Sequence, residues 1–254
     1  MSTRIEPSEK RQHPFWQDVF VGGVSGITAI SIIQWMLYFK VLQQAKGATE
    51  SKFVWNPRVW YRGFGSIAGS FVPTVAVQTA ANGIFASLLP HPILSAGAAG
   101  MVSAIIVCPA EGIMIQQQKT GKNFWTAALS IQKQHGFLGI FRAFIPTAMR
   151  EGSFTASYLG LAPLLKEKFK KEGMNEGLAH MLAGTVSGIF SAAISHPIDV
   201  YKTQKQWDLA IKNFQLKALL QAGPFAGLGW RTGIIVTAST VIPFIQENLN
   251  AKFK

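Results

Sequence analysis

Apolar runs without charge alternate with short polar segments along most of the chain. Residues Val19 to Phe39, Gly63 to Pro90, Pro92 to Ala110 and Met181 to Ile198 are uncharged, and each is about long enough to cross roughly 30 Å of hydrocarbon as a helix. Two further stretches, around Arg150 and beyond Arg231, are shorter and interrupted by charge. The pattern predicts helices near 18–45, 65–88, 92–119, 143–168, 177–206 and 228–250. Between them, segment 123–134 (N-F-W-T-A-A-L-S-I-Q-K-Q) has the apolar spacing of a helix lying in an interface. Segments 54–61 and 209–221 are read the same way.

The count of six spans comes from a repeat, since hydropathy alone returns three or four. Small residues recur four apart at Gly22 and Gly26, at Ala96 and Gly100, and at Gly184 and Gly188. Such a face lets helices approach closely in a membrane. Nine residues past the second small residue stand Trp35, Pro109 and Pro197. Each opens a comparable segment: W-M-L-Y-F-K-V-L-Q-Q, P-A-E-G-I-M-I-Q-Q-Q and P-I-D-V-Y-K-T-Q-K-Q. The prolines Pro109 and Pro197 are expected to kink their spans. The second half of each unit recurs as V-W-Y-R-G-F-G-S, G-I-F-R-A-F-I-P and P-F-A-G-L-G-W-R. The chain, 1–254, thus reads as one domain with a polar N-terminal tail at 1–16. Repeats follow at 17–90, 91–174 and 175–254, giving an all-α membrane protein of six transmembrane helices in three pseudo-symmetric pairs.

Composition agrees with a membrane protein. The 254 residues are 48% hydrophobic and only 14% charged, below the charged share of ordinary soluble domains. The net charge of +12 calls for an anionic partner. Basic residues flank the spans, as at Lys46, Lys52, Arg58, Lys119, Lys122, Lys212 and Lys217, rather than forming one tract. This favours lipid headgroups and solute over nucleic acid. The sole cysteine, Cys108, excludes an internal disulfide framework, and His91, His180 and His196 lack paired metal-ligand spacing. No Gly-rich phosphate loop, serine elbow or carboxylate pair stands in an enzyme-like context. Residues Met1 to Pro14 form neither a signal peptide nor an amphipathic presequence, so any address is expected to be internal.

The three segments resemble the signature of the mitochondrial carrier family, which is P-x-[DE]-x-x-[KR] with a glutamine four residues on and an aromatic-[KR]-G motif opening each even helix. The third copy holds Pro197, Asp199, Lys202 and Gln206. The second keeps Pro109, Glu111 and Gln118 but has Met114 for the base. The first keeps Lys40 and Gln44, with Trp35 for the proline and Leu37 for the acid. The resemblance implies a ring of salt bridges closing the pore on the matrix side, the short amphipathic helices lying on that same side. Glu111 would then pair with Lys202 and Asp199 with Lys40, while Leu37 would face Met114. Losing one partner strands a charge at a cost of several kcal/mol, whereas losing both leaves an apolar contact. Two links instead of three predict an easier-to-open, leakier gate. Gln44, Gln118 and Gln206 fall where the family braces those bridges. On the opposite side the family's acid-and-base pattern survives only at Lys166; the other matching places hold Gly83, Pro163 and Leu249.

Seven residues beyond Gly63, Ala143 and Gly227 stand Ser70, Arg150 and Ile234, which match the family's three substrate contact points. A charge at mid-bilayer costs on the order of 3 kcal/mol, so Arg150 is expected to face a water-filled cavity. In the family an adjacent pair such as Arg150-Glu151 goes with amino-acid substrates. A nucleotide stays open, since Lys40, Arg142, Arg150, Lys202 and Arg231 suit phosphate. Tyr61, Arg62 and Gly63 resemble the family's cardiolipin-binding helix starts, and bound cardiolipin would be the only cofactor. Trp16, Trp35, Trp55 and Trp60 read as interfacial anchors.

The resemblance therefore implies a monomeric carrier of a small charged metabolite in the mitochondrial inner membrane. Two alternatives stand beside it: a carrier-fold scaffold without transport, permitted by the eroded first repeat, and a proton or anion leak. The same erosion admits a pathogen-encoded mimic acting in a host's inner membrane.

Overall fold

The structure, a computed structural model, describes residues 15–46, 55–211, 220 and 223–252, and these are helical apart from short turns. Nine helices are labelled here: α1 (Phe15–Lys46), α2 (Pro57–Trp60), α3 (Phe64–Leu88), α4 (Pro92–Thr120), α5 (Phe124–His135), α6 (Phe144–Thr155), α7 (Ala162–Lys171), α8 (Glu176–Trp207) and α9 (Leu228–Lys252). Helices α6 and α7 are joined through a π-helical turn at Ala156–Leu161 into one span. Among the described residues five helical segments are long and apolar enough to cross a membrane. The remaining span is α6–α7, which carries Arg150 and Glu151 in its first half and Lys168, Lys170 and Lys171 in its last turn. The protein is an all-α, six-span membrane bundle. The expected N-terminal tail, apart from Phe15 and Trp16, and nearly all of the short helix expected at 209–221 lie outside the described residues.

Local punctuation explains where the helices begin and end. Pro92, Asn123 and Asn175 open α4, α5 and α8: proline has no N–H to satisfy in a first turn, and each asparagine side chain accepts a backbone N–H, from Thr126 and from Leu178. Gly121 ends α4 with φ of 72°, a conformation that costs a Cβ-bearing residue about 1 kcal/mol or more. The spans pack in chain order around a closed ring, with α3 against α4, α4 against α6, α7 against α8, α8 against α9, and α9 back against α1.

The second small residue of each repeat sets the tight packing within it. A Cβ at Gly26 would strike the Phe71 ring of α3; one at Gly100 would lie 2.5 Å from the Glu151 carbonyl and from Thr155 Oγ1; one at Gly188 would lie 2.7 Å from Ile235 of α9. The first small residue matters less, and Gly22 meets nothing within 4 Å.

The bundle is apolar outside and polar within. Ile84, Leu88, Ile105, Phe190, Ile194 and Phe244 are exposed, whereas Gln34, Gln44, Gln116, Gln206, Ser103 and Ser195 are buried. Lipid contacts the former at no loss, and the latter bond backbone carbonyls and the charged side chains inside. Helix α5 lies across one mouth, burying Ala127 and Ile131 against Ile113 and Leu209 while leaving Trp125 exposed. Trp35 and Trp60 are half-buried and pack on Tyr38, Phe39 and Leu42, and Trp35 meets Trp230 edge-on with centroids 5.6 Å apart. With tryptophan in place of the repeat's proline, α1 ends in an aromatic cluster that closes the ring onto α9. Trp55 is exposed as expected of an anchor. The segment expected at 54–61 forms a single turn, α2, because Asn56 caps it and Gly63, with φ of 82°, starts α3 directly after.

Candidate functional site

Charged side chains from five spans meet at the centre of the ring. From α8, Asp199 is fully buried; its Oδ2 accepts from Lys40 Nζ of α1 at 2.9 Å and from Gln44 Nε2 at 2.8 Å. Glu111 of α4 accepts from Lys202 Nζ at 2.7 Å and from Arg150 Nη2 of α6 at 2.9 Å. Arg150 also bonds Glu151 and places its Nε 3.5 Å from Asp199 Oδ1. Lys202 Nζ lies 3.4 Å from the same oxygen, and Arg231 Nη1 of α9 lies 3.5 Å from Asp199 Oδ2. The one span without a charge in the cluster, α3, joins through Gln78, whose amide donates to Glu151 Oε2 at 3.2 Å and to Ser103 Oγ at 3.1 Å. Charges held this far from water are tolerable only when paired and hydrogen-bonded.

The two pairings that the family resemblance implies, Asp199 with Lys40 and Glu111 with Lys202, are thus both in contact. Met114 is buried against Val41, one helical turn past Leu37, which is half-buried. The network is larger than two links, however. Arg150 ties Glu111 to Asp199, and Arg231 adds a further cation. Arg150 accordingly does not stand in open water: its side chain is only 14% exposed, and it neutralises three carboxylates. Of the other two candidate contact points, Ser70 donates to the Ile67 carbonyl of its own helix, and Ile234 is half-buried.

The three glutamines part company. Gln44 spans Asp199 and Thr203, whose hydroxyl donates to its amide oxygen at 2.8 Å. Gln206 donates instead to the carbonyl of Cys108, next to Pro109. Both amide atoms of Gln118 are buried without a hydrogen-bond partner, so it braces nothing. The reason is local: Gln118 stands one turn after Met114, where the base is missing. Pro109 and Pro197 sit inside α4 and α8, which continue through them. Each removes one backbone N–H from its helix beside the charged cluster.

Around the mouths, Tyr61 and Arg62 are exposed and Gly63 buried. The Tyr61 hydroxyl donates to the Ser31 carbonyl, and the Arg62 guanidinium lies over Gly121 at the end of α4. Lys166 pairs with Glu176 at 2.8 Å across the turn between α7 and α8. A cleft of about 280 Å³ lined by Lys119, Lys122, Asp208 and neighbours contains none of the central charges.

Sequence reading missed Gln78, Ser103 and Ser195, and noted Arg231 only as one basic residue among several. Gln78 and Ser103 lie outside the repeated motifs. Arg231 had a signal in its favour, an arginine one turn into the sixth span.

The description of the family model that matches residues 86–173 is mitochondrial carrier protein. A mitochondrial substrate carrier family protein of Dictyostelium discoideum is 24% identical over 221 residues, covering 76% of this chain and 73% of that protein. A probable mitochondrial 2-oxodicarboxylate carrier of the same organism is 24% identical over 226 residues, 79% of this chain and 75% of its own. An electrogenic mitochondrial aspartate/glutamate antiporter of Homo sapiens is 31% identical over 122 residues, 46% of this chain and 18% of the antiporter.

Proposed function

Because the chain is a divergent member of the mitochondrial carrier family, we propose that it carries a small anionic metabolite across the mitochondrial inner membrane by alternating access through the centre of its ring. One observation carries this reading: Arg150, within a span, holds carboxylates from α4, α6 and α8 at once. A substrate carboxylate or phosphate competes with Glu111, Glu151 and Asp199 for its guanidinium. Each acid released from Arg150 weakens the network that holds α1, α4 and α8 together at one end, so binding shifts the balance between the two closed forms. The amino-acid and nucleotide classes both supply such an anion. The dicarboxylate and aspartate/glutamate carriers among the relatives favour carboxylates.

Cations outnumber carboxylates in the cluster, with Lys40, Arg150, Lys202 and Arg231 against Glu111, Glu151 and Asp199. A buried excess of positive charge favours an anionic guest over a cationic one. At the rim, the exposed Arg62 and the left-handed Gly63 before α3 suit the phosphate of an anionic lipid such as cardiolipin.

The test is uptake into cardiolipin-containing liposomes loaded with unlabelled solute, screening labelled aspartate, arginine, 2-oxoglutarate, ATP and phosphate. Uptake of an anion that Arg150→Ala abolishes is the expected result. No uptake of any of them by protein that melts cooperatively sinks the proposal and leaves a carrier-fold scaffold. Uptake of arginine alone refutes the anionic class.

A further inference from the structure

At the mouth where α1, α4 and α8 converge, the three seams between these helices differ. Across α4/α8, Lys202 donates to Glu111 at 2.7 Å and the Gln206 amide to the Cys108 carbonyl at 3.3 Å. Gln116 and Lys119 of α4 donate to the Trp207 carbonyl at 3.1 and 2.7 Å, capping the end of α8, where carbonyls lack partners within the helix. Across α1/α8, Asp199 accepts from Lys40 and Gln44, and the Thr203 hydroxyl donates to Gln44. Across α1/α4, no hydrogen bond or ion pair joins the two helices among the described residues. Val41 of α1 meets Met114 and Ile115 of α4 in an apolar contact only.

Gln118 makes this third seam costly to close. It stands one turn past Met114 on the same face of α4. Its side chain is 3% exposed, and neither amide atom has a hydrogen-bond partner. A buried amide without partners loses its hydration for nothing in return, and separating α1 from α4 at the mouth returns it to water. The other two seams behave in the opposite way. Their ties are charge-assisted, and parting either one leaves buried ions without partners. The three helices are therefore joined as an open chain, α4 to α8 to α1, whose two ends touch only through apolar side chains.

We infer that this mouth opens as a clasp and not as an iris: α1 and α4 part first, along the Val41–Met114 contact, while α8 stays tied to both. This rests on the alternating access proposed above. Solute then passes the mouth between the first and second repeats, beside Gln118.

The experiment reads the three seams separately in cardiolipin-containing liposomes. Spin labels on Ala45→Cys, Thr120→Cys and Lys205→Cys, near the ends of α1, α4 and α8, are measured in pairs by pulsed dipolar spectroscopy in a Cys108→Ala background. The Ala45/Thr120 pair should show a second, longer distance, while the two pairs that include Lys205 keep a single one. Gln118→Leu removes the unpartnered amide at nearly equal size. It should shrink the longer population about tenfold, the worth of one unpartnered buried polar group, and melt about 2–4 °C higher than its parent. Leu37→Glu combined with Met114→Lys adds an ion pair across the same seam and should also shrink that population, whereas each substitution alone should not. Equal longer populations at all three seams, or a longer distance confined to a pair that includes Lys205, overturns the inference. So does Gln118→Leu that leaves the distribution unchanged. A single short distance at every pair overturns it as well, and uptake assayed on the same protein then decides whether the alternating access falls with it or stands without it.

Discussion

Asp199→Asn tests the central cluster most directly, because the substitution keeps the size of the side chain and removes its charge. Asp199 is fully buried and accepts from Lys40 Nζ at 2.9 Å and Gln44 Nε2 at 2.8 Å. Lys202, Arg150 and Arg231 stand within 3.5 Å. A charge-assisted hydrogen bond contributes about 1.5–3 kcal/mol, and stranding buried cations by deleting their partner costs about 3–5 kcal/mol. The two figures describe one event and are not summed. For a chain of this size about 4 kcal/mol corresponds to a melting temperature roughly 10 °C lower. Cys108, the only cysteine, is buried, so a thiol-reactive fluorogenic dye reports unfolding without further labelling. Lys40→Gln should restore part of the loss when combined with Asp199→Asn, with a coupling of about 1.5 kcal/mol or more. Asp199→Asn melting within about 2 °C of wild type, or single effects that simply add, would show that the cluster does not hold the ring closed.

Three further outcomes follow from the packing. Gly100→Ala places a Cβ 2.5 Å from the Glu151 carbonyl and should destabilise by about 2 kcal/mol through overpacking, whereas Gly22→Ala, with open space, should melt like wild type. Gln78→Leu removes the amide donor to Glu151 Oε2; liposome uptake should fall several-fold further than a stability change of about 1–3 kcal/mol accounts for, and unchanged uptake would remove Gln78 from the site. Asn123→Ala deletes the cap of α5 and should cost about 1 kcal/mol, while Asn123→Asp should melt like wild type.

Much of this architecture was legible because the signals are local or repeated. Apolar length, the repeat and the helical spacing of 123–134 placed α4, α5 and α8 within a few residues. The register of the repeat also brought Lys40 to Asp199 and Glu111 to Lys202, since equivalent positions of a closed ring face the same axis. What it could not convey was depth along that axis. Gln78 and Ser195 reach the centre from turns outside the motifs, and Arg231 from a motif position that its repeat partners do not fill with a base. Arg150 was read as facing water because a charge at that depth demands either water or partners, and two of its three partners, Glu111 and Asp199, lie on other helices 39 and more residues away in sequence. The glutamines show the same limit: one motif position has three fates at Gln44, Gln118 and Gln206, decided by whether a base stands one turn earlier and by what the neighbouring helix offers. The π-turn at Ala156–Leu161 carried no recognisable sequence signal; it seats Gly160 against the backbone of Ile93.

The closure of α1 onto α9 has a consequence for biogenesis. Lys40 meets Asp199, 159 residues later in the chain, and Trp35 meets Trp230. During synthesis or import the first helix therefore waits for α8 before Lys40 and Gln44 find their acceptor in Asp199. Until then they are unshielded polar groups that hydrocarbon rejects. The ion pair that closes the ring thus forms only after the penultimate span is made, so closure is a late step of assembly whatever the order in which the spans enter the lipid.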